Sequence, residues 1–266
     1  SETIASLETD STEFTQVVIA DVSLGEGVYE LSTVASSDAD AANGANFGNN
    51  SYTRNFEITK DVFSIDGIGV YAEEISSLGY IGTNWGNGTI VMARYELLSE
   101  TTVKGLEIAL TSFSDAGGQV FPFLVTEEVI GEDDMSSSNR LAENEDGVMI
   151  TEDHIADGIM YAALEETTLE AGVYYACVEL YTGPNEDDGV YILDDETVAQ
   201  PGSASMFHYV EEGVNYTNGT AAAIRLKTDD VVGIEEATAA LFSISPNPSN
   251  GIFTVTADVV DNYTLE

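Results

Sequence analysis

Residues 104–113 read KGLEIALTSF. Leu106, Ile108 and Leu110 fall on one side of an extended chain, and Gly105, Glu107 and Thr111 fall on the other. Alternation of period two marks a strand with one face in a core and the other outside it. GTIVMARYELL (88–98) repeats the pattern, with Val91, Ala93, Tyr95 and Leu97 alternating against Met92, Arg94 and Glu96. GQVFPFLVTEE (118–128) and AGVYYACVELYT (171–182) are apolar on both faces, as suits strands lying under a second layer or beside an edge. Pro122, which has no N–H to donate, predicts an edge position for the first of these.

Further strand candidates are QVVIADVS (16–23), GVYELSTV (27–34), TRNFEIT (53–59), GIGVYAEEI (67–75), GVMITED (147–153), GIMYAALEE (158–166), GVYILDD (189–195), SMFHYVEE (205–212) and AAAIRLKT (221–228). Turn pairs divide them, among them Asn43-Gly44, Asn87-Gly88, Asp146-Gly147, Asp188-Gly189 and Asn218-Gly219. About a dozen short strands separated in this way predict an all-β fold, an antiparallel, jelly-roll-like sandwich. Only VVGIEEATAALFSI (231–244) competes as a helix. LGEGVYELSTV (24–34) and LEAGVYYACVEL (169–180) share Leu-x-x-Gly-Val-Tyr, which reads either as two related units or as a common way of turning into a strand.

Charge narrows the function classes. Seven Lys and Arg face 48 Asp and Glu, for a formal charge of −41. Such a surface repels phosphate backbones and anionic lipid heads, so neither nucleic acid nor membrane is expected as a partner. It attracts divalent cations and suits a setting where salt screens self-repulsion. Cys177 is the only cysteine, so no intrachain disulfide forms. No apolar run is long enough to span a bilayer. The start, SETIASLETDSTEF, has neither a basic nor an apolar leader segment, as expected if a leader has been removed or Ser1 lies inside a longer polypeptide.

Signatures of catalysis are weak. His154 and His208 lie far apart and outside any zinc-ligand spacing, and no G-x-S-x-G elbow or phosphate-binding glycine loop with its lysine occurs. Carboxylate pairs discriminate nothing among so many acids, and no enzymatic activity is expected. Binding features are more concrete. The acidic segments GEDD (131–134), ENEDG (143–147), NEDDG (185–189) and DDE (194–196) read either as hydrated loops or as oxygen ligands for Ca²⁺. Asp187, Asp188, Asp194 and Asp195 flank one short strand and form the best calcium candidate; no other cofactor is expected. Trp85, with Tyr80, Asn84 and Asn87 nearby, reads either as a stacking platform for a sugar ring or as a plug in one end of the sandwich.

The C-terminal region carries a more specific pattern. VGIEE (232–236) leads through a short spacer into FSISPNPSNGIFTVT (242–256), in which Pro246-Asn247-Pro248 precedes the turn Ser249-Asn250-Gly251 and a short strand, Ile252 to Ala257. The prolines hold the backbone extended and Gly251 is free to take positive φ. This tail resembles the C-terminal sorting domain of Bacteroidota type IX secretion cargo proteins. Family tails run longer, so the expectation is a partial sorting domain. The body resembles, over roughly 86–228, the jelly-roll-like modules that often precede such tails. The resemblance implies export by the type IX machinery to the cell surface or the medium, with Pro246, Asn247, Pro248 and Gly251 as the sorting motif.

The expected organisation is an extended segment (1–15), a β-sandwich (16–228), a linker (229–241) and the partial sorting domain (242–266). The expected function is extracellular assembly or adhesion without catalysis, as a subunit of a surface layer, filament or adhesin. Its partners would be copies of itself or other surface proteins. The alternative is an accessory carbohydrate-binding module of a secreted hydrolase, with extracellular polysaccharide as partner.

Overall fold

The computed structural model describes residues 24–35, 51–69, 79–81, 86–132, 135–183, 189–197, 202–209, 212–217, 219–228, 242–245 and 254–257. The chain is all-β with antiparallel sheets and divides into two compact units, 1–60 with 69–72 and 61–68 with 73–266.

In the first unit, β1 (Gly27–Val34) pairs antiparallel with β2 (Ser51–Ile58). The register sets Tyr29 opposite Phe56, Leu31 opposite Arg54 and Thr33 opposite Tyr52, so one face is largely apolar while the other carries Glu30, Ser32, Thr53 and Glu57. Tyr29 and Phe56 stack with ring centroids 5.7 Å apart. No residue of either strand is buried, and Leu31 and Tyr52 are 38% and 59% exposed.

The second unit contains β3 (Val62–Phe63), β4 (Gly79–Ile81), β5 (Thr89–Leu97), β6 (Thr101–Ala109), β7 (Gln119–Thr126), β8 (Ala142–Glu143), β9 (Val148–Met149), β10 (Ile159–Leu169), β11 (Gly172–Tyr181), β12 (Ile192–Asp195), β13 (Ser205–Tyr209), β14 (Val214–Thr217), β15 (Ala221–Ala222) and β16 (Ile224–Lys227). A smaller sheet has the order β10-β6-β16-β3, and a larger one the order β14-β13-β5-β11-β7-β8, with β9 also on β7. Taking β8 and β9 together as one interrupted strand and setting aside β4 and β12–β15, the first, third, sixth and last strands make the small sheet. The second, fourth, fifth and seventh form the large one. That interleaving is a jelly roll. Strands β12–β15 are an insertion before the last strand, and β13–β14 extend the large sheet beyond β5. Separately paired, β17 (Phe242–Ser245) and β18 (Thr254–Ala257) form a hairpin.

The alternation read at 104–113 sets the core. Leu106 and Ile108 of β6, Ile224 and Leu226 of β16, Val91 and Ala93 of β5, and Ala176, Val178 and Leu180 of β11 meet between the sheets. The Tyr95 hydroxyl crosses that core and donates to the carbonyl of Ile224 in the opposite sheet. The outer face of the large sheet has a second apolar layer. Met92, Phe123, Tyr175, Cys177 and Met206 pack there with Ile130 of α1 (Glu127–Glu132) and with Met135. This explains why β7 and β11 are apolar on both faces. Arg140 pins the cover, with its guanidinium 3.9 Å from the centre of the Phe123 ring and its Nη atoms paired to Glu143 and Glu179.

Several elements differ from the sequence expectation for local reasons. Strand β7 has neighbours on both sides, so Pro122 is not on an open edge. It falls between the residues of β7 that pair β8 and those that pair β9, and its carbonyl accepts from Asn144 N. The break between those short strands spares its missing N–H. GVMITED is strand only at Val148–Met149, because α2 (Glu152–Asp157) follows. Thr151 caps α2 by accepting from His154 N, His154 Nδ1 accepts from Thr151 N, and Gly158 ends the helix at φ +69°. QVVIADVS, most of GIGVYAEEI and the helix competitor up to Leu241 lie outside the described residues; Gly67–Gly69 of the second run form a turn region, while the last residues of the third, from Phe242, belong to β17. In both copies of Leu-x-x-Gly-Val-Tyr the tyrosine hydroxyl donates to the carbonyl four residues back, Tyr29 to Gly25 and Tyr174 to Glu170. A shared local turn into a strand accounts for that match.

The outer face of the small sheet contains a buried ion cluster. Tyr161, Glu107 and Arg225 stand opposite one another on β10, β6 and β16. The turn after β3 covers them. Arg225 Nε and Nη2 donate to the two carboxylate oxygens of Asp66 at 3.0 and 2.7 Å, Nη1 donates to Glu107, and Nη2 also reaches the carbonyl of Ile68. The Asp66 side chain has no exposed surface. Burial alone would lower the guanidinium pKa, but the hydrogen bonds and charges of Asp66 and Glu107 outweigh it and push it up. Lys227 lies beside the cluster with Nζ 5.1 Å from the centre of the Tyr161 ring. Arg225→Leu would strand two buried carboxylates and should cost ~3–5 kcal/mol. Urea unfolding monitored by circular dichroism measures this loss; a change below about 1 kcal/mol would mean the cluster is solvated in practice.

Candidate functional site

The groove that stands out is built by the β13–β14 hairpin, the extension of the large sheet. Its strand alternation places Phe207 and Tyr209 on the face that continues the core side of β5. Cross-strand pairing sets Tyr216 opposite Phe207 and Val214 opposite Tyr209. Phe207 reaches the core, Tyr209 is half-buried, and Tyr216 is 41% exposed. The core face of the sheet thus runs out into an aromatic shelf. The rings of Phe207 and Tyr216 lie 5.3 Å apart at 19°, close to parallel. Glu212, in the turn, accepts a hydrogen bond from the Tyr216 hydroxyl, and that bond raises the phenol pKa. Phe207, Tyr209, Glu212 and Tyr216 together line an open cavity of ≈ 350 Å³. On the opposite face, His208 Nδ1 lies 3.0 Å from Asn215 Oδ1, and Asn215 Nδ2 donates to the Ile130 carbonyl, fastening the hairpin to α1.

The aromatic alternation of SMFHYVEE is visible in the sequence, while its partner strand VNYT is not among the strand candidates there. The signal available was Phe-x-Tyr and Val-x-Tyr on either side of a Glu-Gly turn, a pattern that reads as a hairpin with one aromatic face.

The calcium candidates are placed differently from one another. Asp194 and Asp195 end β12 and are almost fully buried. Asp194 accepts from the Thr220 hydroxyl with both oxygens at 2.7 Å. Asp195 accepts from Gly67 N at 2.8 Å and, through its other oxygen, from Thr197 N at 2.9 Å. As neighbours on one strand the two carboxylates project to opposite sides and serve different partners. Asp187 and Asp188 lie outside the described residues, and among the described residues no group of three or more metal-ligating side chains occurs.

Of the glycan candidates, Asn87 is in the turn before β5, where its Oδ1 accepts from Thr182 N at 2.7 Å and closes the end of β11. Tyr80 belongs to β4, paired in register with Leu193. Asn84 and Trp85 lie outside the described residues, as do Pro246, Asn247, Pro248 and Gly251. Cys177 is buried, its thiol faces the Tyr175 carbonyl at 3.7 Å, and burial pushes its pKa well up.

Asp195→Ala would leave the buried amide of Gly67 without its acceptor and should destabilise the fold by ~1–3 kcal/mol. The loss should be equal in calcium and in chelator, measured by urea unfolding. A loss seen only with calcium present would make Asp195 a ligand. No protein-family model matches this chain, and no curated protein sequence matches it.

Proposed function

We propose that this chain is a non-catalytic β-sandwich protein, secreted or displayed at the cell surface, that works in extracellular assembly or adhesion. The observation that carries the reading is the β1–β2 hairpin, a two-stranded sheet with a largely apolar face of Tyr29, Leu31, Tyr52, Phe56 and Ile58, interrupted by Thr33 and Arg54, and no buried residue. Two strands are marginal as an independent sheet, and they gain stability when a partner covers the apolar face or adds a strand to an edge. A second copy of the chain is the partner that fits a building block.

Charge sets the conditions for that contact. Five of the seven basic residues are engaged within the second unit. Arg94, Lys104, Arg140 and Arg225 make ion pairs, and Lys227 lies over Tyr161. The remaining surface is overwhelmingly acidic, so copies repel until salt screens them or a divalent cation such as Ca²⁺ binds between acidic loops, 185–189 among them. Export by type IX secretion rests on the sequence resemblance of the tail at Pro246-Asn247-Pro248 and Gly251.

Light scattering with chelator, with millimolar calcium, and in about 1 M sodium chloride, where the Debye length falls to about 3 Å, tests this directly. The mass should exceed that of the monomer in calcium or high salt, and Leu31→Ser with Tyr52→Ser should restore the monomer. A monomer under all conditions would overturn the reading.

A further inference from the structure

We propose that the aromatic shelf on β13–β14 binds a neutral polysaccharide, stacking one pyranose ring on Tyr216 and Tyr209 with Glu212 accepting from its hydroxyls. The inference is independent of self-association, because the shelf and the β1–β2 hairpin belong to different units.

Three observations together select this ligand class. The first is shape. Phe207 and Tyr216 stack nearly parallel, at 19°, so the buried Phe207 backs the Tyr216 ring and the 41% exposed Tyr216 presents a flat ring rather than rings crossed around a central point. A flat surface suits the C–H face of a sugar ring, whereas a quaternary ammonium group is best held by rings on several sides. The groove is also open, which allows a polymer to pass through without offering a chain end.

The second observation is the polar group. Glu212 is exposed and, when ionised, accepts hydrogen bonds only. Its carboxylate already accepts from the Tyr216 hydroxyl and has lone pairs left for sugar hydroxyls, which are donors. The third is charge. A carboxylate at the rim and a net charge of −41 repel uronates and sulfated glycans, which disfavours anionic chains and leaves neutral ones unhindered.

The shelf is also firmly held. Phe207 is anchored in the main core, and the opposite face of the hairpin is tied to α1 through Asn215. The aromatic groups are therefore positioned before a ligand arrives, which limits the entropy lost on binding.

Affinity electrophoresis of the full chain through gels containing galactomannan, xyloglucan, β-1,3-glucan, starch or alginate tests the proposal. Retardation is expected in at least one neutral polysaccharide and not in alginate. Tyr209→Ala with Tyr216→Ala should weaken it at least about tenfold, a scale set by losing stacked aromatic contacts. Tyr216→Phe, which keeps the ring, should retain most of it. Glu212→Gln changes an exposed side chain without removing packing, and should weaken binding several-fold even if the double variant is poorly folded. Three results would overturn the proposal: no retardation in any neutral polysaccharide, retardation unchanged in both the double variant and Glu212→Gln, or displacement of the bound glycan by choline.

Discussion

Arg225 is the residue on which the second unit closes. It lies on the last strand of the jelly roll, and its guanidinium joins three parts of the chain remote in sequence: the Asp66 turn, Glu107 in the middle of β6, and β16 itself. A buried ion pair of this kind contributes little net stability compared with a hydrophobic isostere, but removing one partner is costly. Its role is therefore one of specification. β16 can slot between β6 and β3 in only the register that brings Arg225 under Asp66 and beside Glu107. The same turn also receives Asp195 from β12, so the insertion before the last strand is tied to the same point.

Scarcity of positive charge gives this arrangement its wider meaning. With seven basic residues against 48 acids, every cation has many possible partners. Arg140 holds the cover on the large sheet and Arg225 holds the turn on the small one, both by more than one carboxylate. Basic charge is thus concentrated at the covers of the two sheets, and the outward surface is dominated by acids. That distribution favours a protein whose contacts depend on screening, and it disfavours polyanionic partners.

The sequence made the strands legible wherever one face met the core. The alternation in β6 and the two-sided apolar runs of β7 and β11 correspond to sheets and layers as read, whereas β5 reads as one-sided and its Met92 face is buried in the second apolar layer. Glu107 was less legible. Its place opposite the Leu106–Ile108 face suggested solvent, yet it is buried because Arg225, distant in sequence, supplies the compensating charge. Pro122 reads as an edge marker, but β7 is interior, and the missing N–H falls in the gap between β8 and β9. The helix α2 is not legible in the sequence, because its cap is Thr151-x-x-His154 in place of the usual Ser/Thr-x-x-Glu, and the run GVMITED before it reads as a strand. The aromatic shelf depends on cross-strand register between Phe207 and Tyr216, and register is set by the turn and the neighbouring sheet rather than by either strand alone.

The ion cluster makes the Asp66 turn part of the core of the jelly roll. Native-state hydrogen exchange tests it most directly, by comparing the amides of Gly67 and Ile68 with those of β16. Gly67 N is bonded to Asp195 and Ile68 N to Asp66, so both should open with the same free energy as β16, in one cooperative event. Fast exchange at Gly67 and Ile68 while β16 stays protected would contradict it.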